Sequence, residues 1–257
     1  MSMPKASYAW WSFVGRGADT ETLLRESATM GYDGVELAEP ALWPQVREAG
    51  LGIATHRGHG WLEDGLNNPA NHERIEREIR ENIALAQEWG CPVLICFSGN
   101  RHGASDEEGI TVTAAGLARV ARDAEQAGVT LAVELLNSRV DHPGYQCDHT
   151  AWGVQMIEQV NSPAVKLLYD VYHMQIMEGD VIRTIAMQHP HFAHYHVAGN
   201  PGRHEPDASQ ELNYPPIYRT IADTGFTGYV GMEFVPQGEP LAALRDALVT
   251  LRRATTA

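Results

Sequence analysis

Short apolar runs alternate along this chain with longer stretches whose apolar positions recur every three to four residues. The short runs are rich in Val, Ile, Leu, Tyr and Phe and read as strands. They lie at Tyr8–Phe13, Gly34–Leu37, Gly52–His56, Pro92–Phe97, Val129–Leu135, Val165–Tyr169, Phe192–Val197 and Tyr229–Phe234. Between them the spacing predicts helices at Thr20–Met30, Asn71–Trp89, Thr111–Ala127, Thr150–Val160, Asp180–Gln188, Pro215–Thr224 and Pro240–Arg253. Ile75, Ile79, Ile83 and Ala86 form one apolar stripe on the second of these, opposite a Glu/Arg-rich solvated face.

The punctuation agrees with this division. Gly31, Gly50, Gly90, Gly128 and Gly225 each follow a helical stretch and precede a strand, as helix stops do. Asp19 is placed to cap the first helix. Strand–helix alternation from end to end calls for a parallel sheet. Eight such units closing on themselves give a (β/α)8 barrel, for which a chain of 257 residues has the usual length. No linker or low-complexity tract interrupts it, so one α/β domain over 1–257 is expected.

Composition narrows the function classes. The net charge of −14 offers no basic face for phosphates and argues against nucleic acid as a partner. Cys91, Cys96 and Cys147 show no CxxC spacing, so free thiols in a reducing compartment are expected. No apolar window is long enough to span a membrane, and the opening MSMPKASYAWWSF lacks the pattern of a signal peptide. A cytoplasmic protein is expected.

The chemistry gathers at strand ends. Glu134 ends VTLAVE, Asp170 ends VKLLYD, His196 lies near the end of FAHYHV and Glu233 near the end of YVGMEF. A carboxylate inside a strand is costly unless it is paired or bound to metal, and barrel active sites lie where strands end. Four such side chains on the last four strands solve one another's problem by sharing a cation. Three oxygen donors, one imidazole and no thiolate favour Mn2+ or Mg2+, with Co2+ and Zn2+ remaining open. There is no nucleotide-binding glycine pattern, so no organic cofactor is expected.

VELLNS at Glu134, LLYDVYHMQIMEGD at Asp170, HYHVAGNPGRHEPD at His196, ELNYPPIYRTI at Glu211 and GYVGMEFVP at Glu233 resemble the xylose isomerase-like barrel superfamily, and within it the hydroxypyruvate isomerase family. The resemblance covers nearly the whole chain and is densest after Val133. It implies one divalent metal held by Glu134, Asp170, His196 and Glu233, with Glu134 and Glu233 also the catalytic acid/base pair. It implies an isomerase of carbohydrate metabolism acting on a small hydroxy-carbonyl compound, and it leaves a homodimer or homotetramer open. Related ketose epimerases place a His three residues after the metal Asp and an Arg shortly after the metal His; His173 and Arg203 match. Many of those epimerases carry a further Glu just beyond the first metal Glu, where this chain reads Ser138-Arg139-Val140-Asp141-His142.

The expected reaction is a 1,2-carbonyl shift through an enediolate, with metal as Lewis acid and glutamate as proton carrier. Hydroxypyruvate to tartronate semialdehyde is the leading case. His173, Arg203 and His56 are expected to bind substrate, Arg203 through a bidentate grip on a carboxylate. For Arg203 a loop salt bridge to Glu205 or Asp207 is the plainer alternative. Trp10, Trp11 and Phe13 are either cavity walls or packing, and Glu39 after the second strand is open in the same way. Gly58, Gly60 and Gly65 permit movement of the loop at 58–68. Three other readings stand beside the isomerase. A ketose 3-epimerase would use the same metal and glutamates. A non-catalytic barrel would only bind sugar. A hydrolase resembling apurinic endonucleases would share His56 and the other ligands, but the strand-7 loop has no Asp-x-His pair and the charge is wrong for DNA.

Overall fold

A computed structural model describes residues 3–256; residues 1, 2 and 257 of the expected domain lie outside it. Eight strands follow one another in chain order around a closed barrel: β1 (Lys5–Ala9), β2 (Gly34–Glu36), β3 (Gly52–Arg57), β4 (Val93–Cys96), β5 (Thr130–Glu134), β6 (Val165–Asp170), β7 (Phe192–Val197) and β8 (Tyr229–Met232). Every strand expected from the apolar runs is present, most within two residues of its expected ends.

Contacts divide the chain into two compact units. In the first, which takes in described residues 3–54, 180–189 and 195–256, β1 pairs in parallel with β2 and with β8, and β7 with β8. Helices α2 (Thr20–Met30), α10 (Tyr214–Asp223) and α11 (Pro240–Thr255) lie in this unit. Asp19 caps α2 by accepting from Thr22 N at 2.8 Å, and Gly31 ends it at a left-handed φ of 100° that a Cβ would disfavour. In the second unit, residues 55–179 and 190–194, β3 to β6 pair in parallel in order. Its α4 (His72–Trp89) buries the expected stripe of Ile75, Ile79, Ile83 and Ala86.

Two expectations are corrected. The first strand lies earlier than Tyr8–Phe13: it spans Lys5–Ala9, and Trp10–Phe13 forms a helical turn, α1. The aromatic run looked like a strand because aromatic residues favour sheets. Here Phe13 instead turns in to pack edge-on against Tyr8 and Phe234. The helix expected at Thr111–Ala127 is two, α5 (Asp106–Ala118) and α6 (Ala121–Ala127). Helix α3 (Trp43–Glu48) and the short α8 (Val171–Met177) were not anticipated.

Candidate metal centre

Side chains in a strand alternate between faces, and the strand-end positions are where the acids and imidazoles meet. Glu134, Asp170, His196 and Glu233 are all buried, and each offers a ligand atom lying within 4.8 Å of the others'. Glu134 closes β5, Asp170 closes β6, His196 is the penultimate residue of β7, and Glu233 follows β8 directly.

In the first unit, Glu233 accepts from Trp11 Nε1 at 3.1 Å through Oε1 and from Arg203 Nη2 at 2.6 Å through Oε2. The Arg203 guanidinium lies 5.5 Å over the Trp11 ring, a cation–π geometry. Arg203 therefore pairs with Glu233, not with the acids of its own loop. Glu205 accepts from the backbone N–H groups of Gln237 and Gly238, and Asp207 from Ser209. Trp11, left between wall and packing by the sequence, serves as a donor to the cluster.

His196 Nδ1 stands 3.2 Å from Glu233 Oε2, and its Nε2 stands 2.9 Å from Oε2 of Glu36, a carboxylate that is fully buried at the end of β2. Ser7 Oγ on β1 donates to Glu36 Oε1 at 2.5 Å. Glu36 was missed. Glu39 is the acid after the second strand, yet Glu36 carries the same signal as the four clustered residues, an acid closing an apolar run.

In the second unit, Asp170 Oδ1 accepts from His173 N at 3.1 Å and so caps α8. His173 is fully buried. Its Nδ1 accepts from the Asn137 backbone N–H at 3.2 Å, which leaves the proton on Nε2, 3.7 Å from Asp170 Oδ2. The stretch after Glu134 folds onto itself: Asp141 accepts from Asn137 Nδ2 at 2.6 Å and from Tyr172 OH at 2.9 Å. Tyr145 OH donates to the Glu134 carbonyl at 2.9 Å, holding the end of β5. His56 is buried on β3 and is not among the clustered ligand atoms.

These residues fit a hard divalent cation. Three buried carboxylates repel one another unless positive charge is shared among them. The donor set is oxygen-rich with a single imidazole. Ligands at ~2.1 Å from one ion in octahedral array sit about 3 Å apart, close to the 3.2 Å between His196 Nδ1 and Glu233 Oε2.

The fold and this cluster define a class, and the chain belongs to it: residues 24–254 match the family described as xylose isomerase-like TIM barrel. Its relatives include the hydroxypyruvate isomerase of Escherichia coli, 30% identical over 178 residues that cover 69% of this chain and 68% of the relative. The 2-oxo-tetronate isomerase of Cupriavidus necator is 37% identical over 128 residues, covering 50% of this chain and 48% of the relative. A crystal structure described as a family 2 AP endonuclease from Brucella melitensis superposes with a TM-score of 0.82 at 29% identity, over 94% of this chain and 97% of that one. The named relatives mark this chain as an isomerase. Among the described residues no helix is long and apolar enough to cross a membrane.

Proposed function

We propose that this protein is a divalent-metal-dependent isomerase that shifts a carbonyl between adjacent carbons of a small hydroxy-carbonyl acid, with hydroxypyruvate and tartronate semialdehyde as the leading pair. The observation that carries the reading is the convergence of Glu134, Asp170, His196 and Glu233 within one ligand sphere. Bound there, Mn2+ or Mg2+ supplies Lewis-acid polarisation of the substrate oxygens.

The chain's own residues supply the rest. Either Glu134 or Glu233 takes the proton from the hydroxymethyl carbon of hydroxypyruvate, giving an enediolate. A proton is then returned to the neighbouring carbon while the hydroxyl proton moves to the former carbonyl oxygen, so nothing is gained or lost. Trp11 and Arg203 donate to Glu233 and favour its ionised form, the form needed in a base. His173 presents an Nε2–H donor beside Asp170, suited to a substrate oxygen. Arg203 is half-buried beside Glu233, and a guanidinium there matches a substrate carboxylate.

That match favours an acid over a neutral ketose. So does the segment 138–142, whose Asp141 is bonded to Asn137 and Tyr172 within the protein. The relatives' names support two acids, hydroxypyruvate and 2-oxo-tetronate.

The test is to replace Glu134 by Gln and assay hydroxypyruvate, 2-oxo-tetronate, fructose, tagatose and ribulose with Mn2+ or Mg2+ supplied. Glu134→Gln should lower turnover of the acids by a factor of about 10² to 10⁴. Turnover equal to wild type would remove Glu134 from the chemistry, and wild-type activity confined to ketose epimerisation would replace the isomerase reading.

A further inference from the structure

The buried carboxylate of Glu36 has no part in the ligand set just described, and it faces the back of a ligand. Three other strands build its pocket. Ser7 on β1 donates to Oε1 at 2.5 Å, and His196 Nε2 on β7 lies 2.9 Å from Oε2. On β8, directly beside His196 in the parallel register, stands Gly231. A Cβ at 231 would overlap Glu36 Oε1 and come within 3.0 Å of His196 Cδ2. The glycine is thus the space in which the carboxylate sits. Glu36 and His196 are both fully buried.

A carboxylate only accepts, so His196 donates its Nε2–H to Glu36. The Nδ1 lone pair is then left pointing at the cluster, 3.2 Å from Glu233 Oε2. We propose that Glu36 is a positioning residue: it holds His196 in the Nε2–H tautomer, turns the ring and raises the basicity of Nδ1 toward a divalent cation, with Ser7 and the bare backbone of Gly231 fixing Glu36 in turn. Carboxylates behind metal-bound imidazoles act in this manner, and their loss typically weakens metal affinity 10- to 100-fold. This inference rests on the metal-dependent reading above.

The test is binding of Mn2+ to the metal-stripped chain, followed by calorimetry, and the visible absorption of the Co2+-loaded form. Glu36→Gln keeps the size and removes the charge. Gly231→Ala keeps every charge and displaces the carboxylate. Both variants are checked for folding by circular dichroism. Each is expected to bind Mn2+ 10- to 100-fold more weakly than wild type and to shift the Co2+ bands. Glu36 also falls in a set with His194 and His196 that can itself hold an ion. Loss of a second bound equivalent in Glu36→Gln would make Glu36 a ligand and overturn the positioning role. Wild-type affinity and an unchanged Co2+ spectrum in either folded variant would overturn it too. In the wild-type protein, which needs no substitution, Mg2+-loaded and 15N-histidine-labelled chain should show the His196 proton on Nε2; a proton on Nδ1 sinks the proposal. Wild type that binds no divalent cation at all is a different result, and it defeats the metal-dependent reading itself.

Discussion

Burial lowers the His56 imidazole from its ordinary 6.5 to about 4, and the neighbouring Arg57 guanidinium adds to the effect. The folded protein therefore keeps His56 neutral where the unfolded chain protonates it. The contribution of His56 to stability is fully present above about pH 6.5 and is lost as the pH drops toward 4, because the unfolded state binds the extra proton. A shift of that size corresponds to a loss on the order of 3 kcal/mol. His56→Gln should fall less steeply than wild type in urea unfolding midpoints measured across that window; parallel slopes would show that His56 does not titrate this way. At the same scale, Glu134, Asp170, His196 and Glu233 were legible because each is a polar residue ending an apolar run. Glu36 follows the same rule in GYDGVEL. The partner of Arg203 was not legible: acids two and four residues away competed with Glu233, 30 residues distant.

The loop at 58–68 is joined to the chain after β4 through one of its glycines. A Cβ on Gly65 would stand 2.6 Å from both the Gly99 amide nitrogen and the Phe97 carbonyl oxygen, so the glycine permits two backbones to touch. Leu66 N and Asn67 N donate to the carbonyls of Phe97 and Ser98, Asn100 N donates to Glu63 O, and Asn67 Nδ2 reaches both Asn100 O and Gln146 Oε1. Replacing Gly65 by Ala should cost about 1–3 kcal/mol in chemical denaturation; an unchanged midpoint would mean the segment gives way without penalty. Helix α5 carried a readable start that went unread: Ser105 and Glu108 form a capping box, each side chain bonded to the other's backbone N–H. Its end was not readable. The chain between α5 and α6 runs Arg119-Val120 with no Gly or Pro, and Val120 leaves helical geometry at φ −122°.

At the scale of the molecule, Cys91, Cys96 and Cys147 are all buried and none is in a disulfide. Burial pushes the Cys96 thiol up to about 12, and a thiol so placed is neither exposed nor ionised. Native protein mixed with a thiol-specific disulfide reagent should release almost no chromophore within minutes, and three equivalents once guanidinium unfolds it. Rapid reaction of any thiol in the native state would contradict the packing around it. The two ends of the chain are tied in the same spirit: Arg252 of α11 donates to the Pro4 carbonyl and to Asp33, which also accepts from Ala6 N.

The order of the eight strands and most of the helices between them was decided by the sequence alone, because periods of two and of about 3.6 and the stops between them are local properties of a backbone. So was the set of acids and imidazole that ends the last four strands. Which atoms face one another was decided only by tertiary structure. Glu36 and His196 are 160 residues apart, and their contact depends on strand register, on barrel closure and on a missing Cβ at Gly231 between them. No local pattern encodes a distance of that kind, since it is set by how the strands are laid side by side.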